Sequence, residues 1–97
     1  MLDKEQILTM LKKNKSFLEQ ERGVKRIGLF GSYARDEQTP ESDVDIFVDI
    51  QEVDYKNILS ILLFLEQQLG KKVDLICDGE HLRSSFLRTL ERETIYA

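Results

Sequence analysis

The sequence predicts a single α/β domain spanning residues 1–97, with a small sheet and helices packed on it. Three observations carry that expectation. Helix-periodic and strand-like segments alternate in the order α-β-α-β-α-β-α. Each strand candidate is a short run rich in Val, Ile, Leu and Phe. The second and third strand candidates are joined by a helix long enough to serve as a crossover, so they can lie side by side.

Residues 3–20 read as a helix. Ile7, Met10, Leu11, Phe17 and Leu18 fall on one arc, while Lys12, Lys13 and Glu19 lie largely off it. Asp3 suits the N-cap, and Gly23 stops or follows the helix. "VKRIGLF", 24–30, alternates and then turns apolar, as a strand entering the core does. "GSYAR", 31–35, reads as a tight turn opening a short helix. "DEQTPES", 36–42, is a loop holding the only proline, and "DVDIFVDI", 43–50, is a strand. Residues 54–69 form a helix in which Ile58, Leu59, Ile61, Leu62, Leu63, Phe64 and Leu65 crowd together. Such a helix is expected to be buried on more than one side, mostly against the sheet. Leu63 and Phe64 fall off its main arc, toward a partner. Gly70 caps it and leads into the strand "KKVDLIC", 71–77. A last helix over 80–95 carries Leu82, Phe86, Leu87, Leu90 and Ile95.

Bulk properties exclude several classes. Hydrophobic content of 41% and charged content of 33% fit a globular chain rather than a disordered one. A net charge of -4 argues against a dedicated nucleic-acid binder, which needs a basic face. It does not argue against a nucleotide bound through a metal. Cys77 is the single cysteine, so neither an internal disulfide nor a Cys-rich zinc site can form, which suits a reducing compartment. The opening "MLDKEQILTMLKKNK" has no apolar signal-peptide core, and no run approaches the length of a membrane span. A cytoplasmic protein is expected.

The chemistry concentrates in "GLFGSYARDEQTPESDVDIFVDI", residues 28–50. Side chains two apart on a strand share a face, so Asp43 and Asp45 sit side by side. Two carboxylates about 4 Å apart repel by roughly 4 kcal/mol at an effective dielectric near 20. A divalent cation is the natural counter-charge, and Mg²⁺ prefers one or two carboxylates together with phosphates and water. Asp74 interrupts the apolar run of another strand and can join the cluster if the two strands are neighbours. The Gly31-Ser32 turn, leading from strand into helix, offers backbone N–H groups and a hydroxyl to an anion. Phosphate at one end and metal at the other suggest displacement at a nucleotide phosphate.

"GS", ten residues, then "DVD" resembles the signature of the polymerase-β-type nucleotidyltransferase superfamily. With "GSYAR", "TPESDVDIFV" and the later "VDLI", the chain resembles the minimal nucleotidyltransferase (MNT) family over nearly its whole length. These are small stand-alone domains, often the antitoxin paired with a HEPN-domain ribonuclease toxin. The resemblance implies a small mixed sheet with flanking helices. It also implies AMP transfer from MgATP to a hydroxyl, typically a tyrosine of the toxin, in a hetero-oligomer with that partner. By position, Gly31 and Ser32 would hold the triphosphate, and Asp43 and Asp45 would bind two Mg²⁺ ions. Asp74 would bind the catalytic metal and help activate the attacking hydroxyl, and Arg35 would brace the turn or touch phosphate. One departure is Asp36, where many relatives have glycine. Its charge would either weaken ATP binding or point to solvent.

Plainer readings stand beside these. Arg35 suits an ion pair to a helix or to Asp36 as well as a phosphate contact. Asp49 shares the face of Asp43 and Asp45 but reads as solvated. Ser42 is a turn residue or orients Asp43, and Tyr33 packs under the turn or shapes the nucleotide pocket. His81 reads as a surface residue and Cys77 as a small buried side chain. Two other functions remain open: an antitoxin that neutralises by binding alone, and the nucleotidyltransferase subunit of a two-chain enzyme acting on a small molecule.

Overall fold

The alternation in residues 44–50 organises the molecule. In the computed structural model, which describes residues 2–52, 54–78 and 84–97, Val44, Ile46, Val48 and Ile50 are all buried on one face of a strand. Asp45, Phe47 and Asp49 take the other face. That strand, β2 (Val44–Ile50), lies inside a four-stranded sheet of order β3-β2-β1-β4. It pairs antiparallel with β1 (Val24–Phe30) and parallel with β3 (Val73–Cys77). β4 (Ile95–Tyr96) pairs antiparallel with β1. The sheet is therefore mixed, as the family resemblance implied.

The aliphatic face is covered by helices α1 (Lys4–Lys13), α2 (Lys15–Arg22) and α4 (Tyr55–Leu69). Ile7, Leu11, Leu18, Ile61 and Leu65 from these helices form one core with Ile27, Leu29, Ile46, Val48, Val73 and Cys77. Tyr33 belongs to that core at 1% exposure, so it packs under the turn. α4 is also the crossover that makes β2 and β3 parallel neighbours.

Several expected elements differ in detail. The helix expected over 3–20 is two helices broken at Asn14. Asp3 caps α1 through a capping box with Gln6. The Met10 carbonyl accepts both the Asn14 backbone N–H at 3.1 Å and the Asn14 side-chain amide at 2.9 Å, which closes the end of α1. Gly23, at φ +69°, ends α2 as expected of a C-cap glycine. α4 is less enclosed than its composition suggests. Ile61 and Leu65 are fully buried, whereas Leu59, Leu63 and Tyr55 stand exposed, and Phe64 stacks against Phe17 at 5.1 Å between ring centres.

The last helix ends earlier than expected. α5 spans Ser84–Glu93, and Ile95 belongs to β4 rather than to the helix. Thr94 and Ile95 cross directly above Gly28, where an added Cβ would lie 2.8 Å from the Ile95 carbonyl oxygen. The C-terminal segment can therefore pair closely with the edge of β1, which has no side chain at that point. Phe47, fully buried on the other face of β2, meets the Tyr96 ring edge-on at 6.4 Å. His81 and Leu82, and the side chains of Phe86 and Leu87, lie outside the described residues. Among the described residues no helix is long and apolar enough to cross a membrane.

Candidate active site

β1 ends at Phe30, directly opposite Asp45 in the register of β2. The chain must turn away there, and it does so through α3 (Gly31–Ala34). Gly31 adopts φ +75°, a conformation that side-chain-bearing residues rarely take. A Cβ at this position would collide with the Asp45 carboxylate, lying 2.8 Å from its Cγ and 3.0 Å from its Cβ. The glycine thus serves two needs at once: the turn itself, and room for an acid beside it. Ser32 follows as the second residue of α3, whose first-turn N–H groups have no acceptor within the helix.

In the parallel pairing of β2 and β3, Asp45 is the register partner of Asp74. The two carboxyls are side by side because α4 delivers β3 next to β2. Asp43 lies just before β2, outside the ladder, and so is not strictly the strand neighbour of Asp45 that the alternation suggested. The half-buried Asp45 carboxyl is held above the ordinary carboxylate range. Burial is the largest cause, followed by the negative charges of Asp74 and Asp43 and by a hydrogen bond with Asp74, while Arg35 opposes the rise. A site in which carboxylates crowd and repel one another has the electrostatics to draw in a cation.

The donor set is suited to a hard cation, since all three groups are carboxylates. Among the described residues, no three His, Cys, Asp or Glu side chains form a ready metal cage. Mg²⁺ is commonly held by one or two carboxylates while substrate phosphate and water complete its shell. Asp45 and Asp74 would provide the paired carboxylates, with Asp43 beside them.

Arg35 ends α3, its N–H donating to the carbonyls of Gly31 and Ser32 at 3.2 Å each. Its guanidinium pairs with Glu37 at 3.5 Å and with Glu93 of α5 at 3.8 Å, and not with Asp36. Asp36 instead pairs with Lys4 at 3.1 Å. Its φ of +57° lies where glycine is favoured, and aspartate takes that turn here. Asp49 pairs with Arg26 at 3.3 Å, well along β2 from the acidic pair. The Ser42 hydroxyl accepts from the Thr39 N–H at 2.9 Å, so it shapes the turn before Asp43. Reasoning from sequence passed over Lys71 and Glu93. Each acts on a residue far away in the chain, and neither carries a local pattern.

Residues 11–97 match the nucleotidyltransferase domain family. The chain belongs to the minimal nucleotidyltransferase family. This minimal nucleotidyltransferase is 39% identical over 97 residues to the protein adenylyltransferase MntA of Thermococcus cleftensis, with 99% of this chain and 97% of that one covered. It is 42% identical over 94 residues to a candidate protein adenylyltransferase of Methanocaldococcus jannaschii, covering 94% of each. Among solved structures, a candidate minimal nucleotidyltransferase superposes with a TM-score of 0.83 at 28% identity, over 97% of this chain and 95% of that one. A toxin–antitoxin complex with AMP-PNP gives 0.67 at 23% identity, covering 98% and 72%. The MNT antitoxin bound to a tri-AMPylated HEPN toxin of Shewanella oneidensis gives 0.62 at 18%, covering 92% and 70%. At these last two identities the likeness is one of fold.

Proposed function

We propose that this minimal nucleotidyltransferase transfers AMP from ATP to a tyrosine hydroxyl of a HEPN-domain toxin, and thereby acts as its antitoxin. The observation that carries the reading is the convergence of Gly31, Asp45 and Asp74 at one end of the sheet. It joins a glycine turn able to approach a triphosphate to a pair of crowded carboxylates. The protein adenylyltransferase named among the relatives, and the AMP-PNP and AMPylated-toxin complexes among the fold neighbours, support the substrate and the partner.

Gly31 and Ser32 would hold the triphosphate through backbone N–H groups and the serine hydroxyl. Asp43, Asp45 and Asp74 would hold two Mg²⁺ ions. Bound there, Mg²⁺ would neutralise phosphate charge and lower the pKa of the acceptor hydroxyl. The acceptor oxygen bonds to the α-phosphorus as the bond from that phosphorus to the α–β bridging oxygen breaks. Pyrophosphate leaves with the electron pair, and the hydroxyl proton passes by way of the Asp74 carboxylate to solvent. The Gly31-Ser32 amides, fixed in place by the α3 turn, accept the developing negative charge without reorganising. Arg35, paired with Glu37 and Glu93, braces the end of α3. Exposed Tyr55, Leu59 and Leu63 along α4 are apolar surface of the kind a protein partner covers.

The test is the intact mass of the cognate HEPN toxin after incubation with this protein and MgATP, beside an Asp43→Asn/Asp45→Asn control. A gain of one or more adenylate units, absent from the control, is expected. A stable complex with no mass gain would overturn transfer and leave an antitoxin that works by binding.

A further inference from the structure

Asp43 lies outside the β2 ladder, so strand pairing does not set its direction. Two other contacts do. On its C-terminal side, the Val44 N–H donates to the Lys72 carbonyl at 3.0 Å. On its N-terminal side, the Lys71 ammonium donates to the Ser42 carbonyl at 2.6 Å, and to the Pro40 carbonyl at 3.1 Å. The Ser42 carbonyl belongs to the peptide unit that leads into Asp43. Fixing that peptide plane on one side and the Val44 amide on the other fixes the direction of the Asp43 Cα–Cβ bond.

The remaining direction from the Lys71 ammonium faces the buried Tyr33 ring, 5.9 Å from its centre. A lysine ammonium has three donors. Two carbonyls take two of them, both from the loop at 40–42. Lys71 is thus turned toward the loop at 40–42.

We infer that Lys71 is a positioning residue: it ties the turn between α4 and β3 to the loop at 40–42, and so aims Asp43 at the cation shared with Asp45 and Asp74. This rests on the reading of Asp43 as a metal ligand. Through Lys71 and Lys72 the segment that places Asp74 also places Asp43. The two acids then form one unit, although they lie 31 positions apart in the chain.

The test measures Mn²⁺ affinity by electron paramagnetic resonance, in the presence of a non-hydrolysable ATP analogue, for wild type, Asp43→Asn, Lys71→Met and Lys71→Arg. Metal-free affinity for the analogue and the melting temperature are recorded alongside. Asp43→Asn is expected to weaken Mn²⁺ binding strongly. Lys71→Met is expected to weaken it by about tenfold, the low end of what removing a group behind a metal ligand does, with metal-free analogue binding unchanged. Lys71→Arg, which keeps donors for both carbonyls, should restore most of the loss. If Lys71→Met does not fold, Lys71→Gln, which keeps one reach of donor, is read in its place. Normal Mn²⁺ affinity in the Lys71 variants, with the Asp43→Asn defect intact, overturns the positioning role. Normal affinity in Asp43→Asn overturns the metal assignment of Asp43 itself, and the positioning role with it.

Discussion

Replacing Gly31 by alanine separates two things the glycine does. The backbone at φ +75° costs an L-residue about 1–2 kcal/mol. The added methyl also meets Asp45, 2.8 Å from Cγ and 3.0 Å from Cβ. Rotation of the carboxylate can relieve the first contact. It cannot relieve the second, because the Asp45 Cβ is fixed to β2 between Phe30 on one neighbouring strand and Asp74 on the other. Overpacking of that kind costs about 1–3 kcal/mol. The lower entropy of the unfolded alanine chain returns somewhat under 1 kcal/mol. Gly31→Ala should therefore destabilise the protein by roughly 1–4 kcal/mol, lowering its melting temperature by on the order of 5–30 °C.

Gly70→Ala provides the control. Its φ is +65° and its added Cβ meets nothing within 4 Å, so it carries the conformational cost alone. Thermal melts of both variants isolate the collision with Asp45 as their difference. AMP transfer to the toxin, measured below both melting temperatures, should fall by about 100-fold or more in Gly31→Ala, because displacing the turn or Asp45 misplaces reacting groups. It should hold in Gly70→Ala. Equal melting temperatures for the two variants, with transfer retained in Gly31→Ala, would refute the claim that this turn is built around Asp45.

Three further outcomes follow from the same geometry. Asp45 is raised in the folded state, so in the metal-free protein its contribution to stability is present below the ordinary carboxylate range and is lost as pH rises through the raised value. Asp45→Asn should melt higher than wild type near pH 7, with the gap closing toward pH 4 and with a smaller gain from MgATP; equal melting across that range would contradict the crowding. Asp36→Gly relieves a positive φ and gives up an exposed pair with Lys4 at 3.1 Å, so stability should change by less than about 1 kcal/mol. Its ATP affinity, by calorimetry, should stay within about twofold, since that carboxylate faces α1; a large gain would mean that its charge does reach the triphosphate. Gly28→Ala should push Thr94 and Ile95 off β1 and destabilise by about 1–3 kcal/mol, seen as faster amide exchange at residues 94–97; unchanged exchange would refute the close crossing.

Much of this was legible in the chain because it is local. The period-2 pattern of residues 44–50, the glycines at 23 and 70, and the strand-turn-helix spacing around Gly31 each depend on a few consecutive residues. The break at Asn14 was hidden because Phe17 and Leu18 continue the apolar arc beyond it, so periodicity alone joins two helices into one. β4 was hidden for the opposite reason. Two residues show no period, and their strand exists only because Gly28, far away in sequence, leaves space for it.

The sequence by itself determined the α/β architecture, the carboxylates at 43, 45 and 74, and the family, because residue type and spacing along the chain are enough for each. Only the tertiary structure decided which acids pair. Asp45 meets Asp74 through the parallel register that α4 makes possible, while Asp43 is aimed from outside the ladder by contacts involving Lys71 and Lys72. It also decided where the nearby charges go: Arg35 to Glu37 and Glu93, and Asp36 to Lys4. Charged side chains are long and find partners through space. Which partner is within reach depends on how the strands and helices come together, and no local pattern records that.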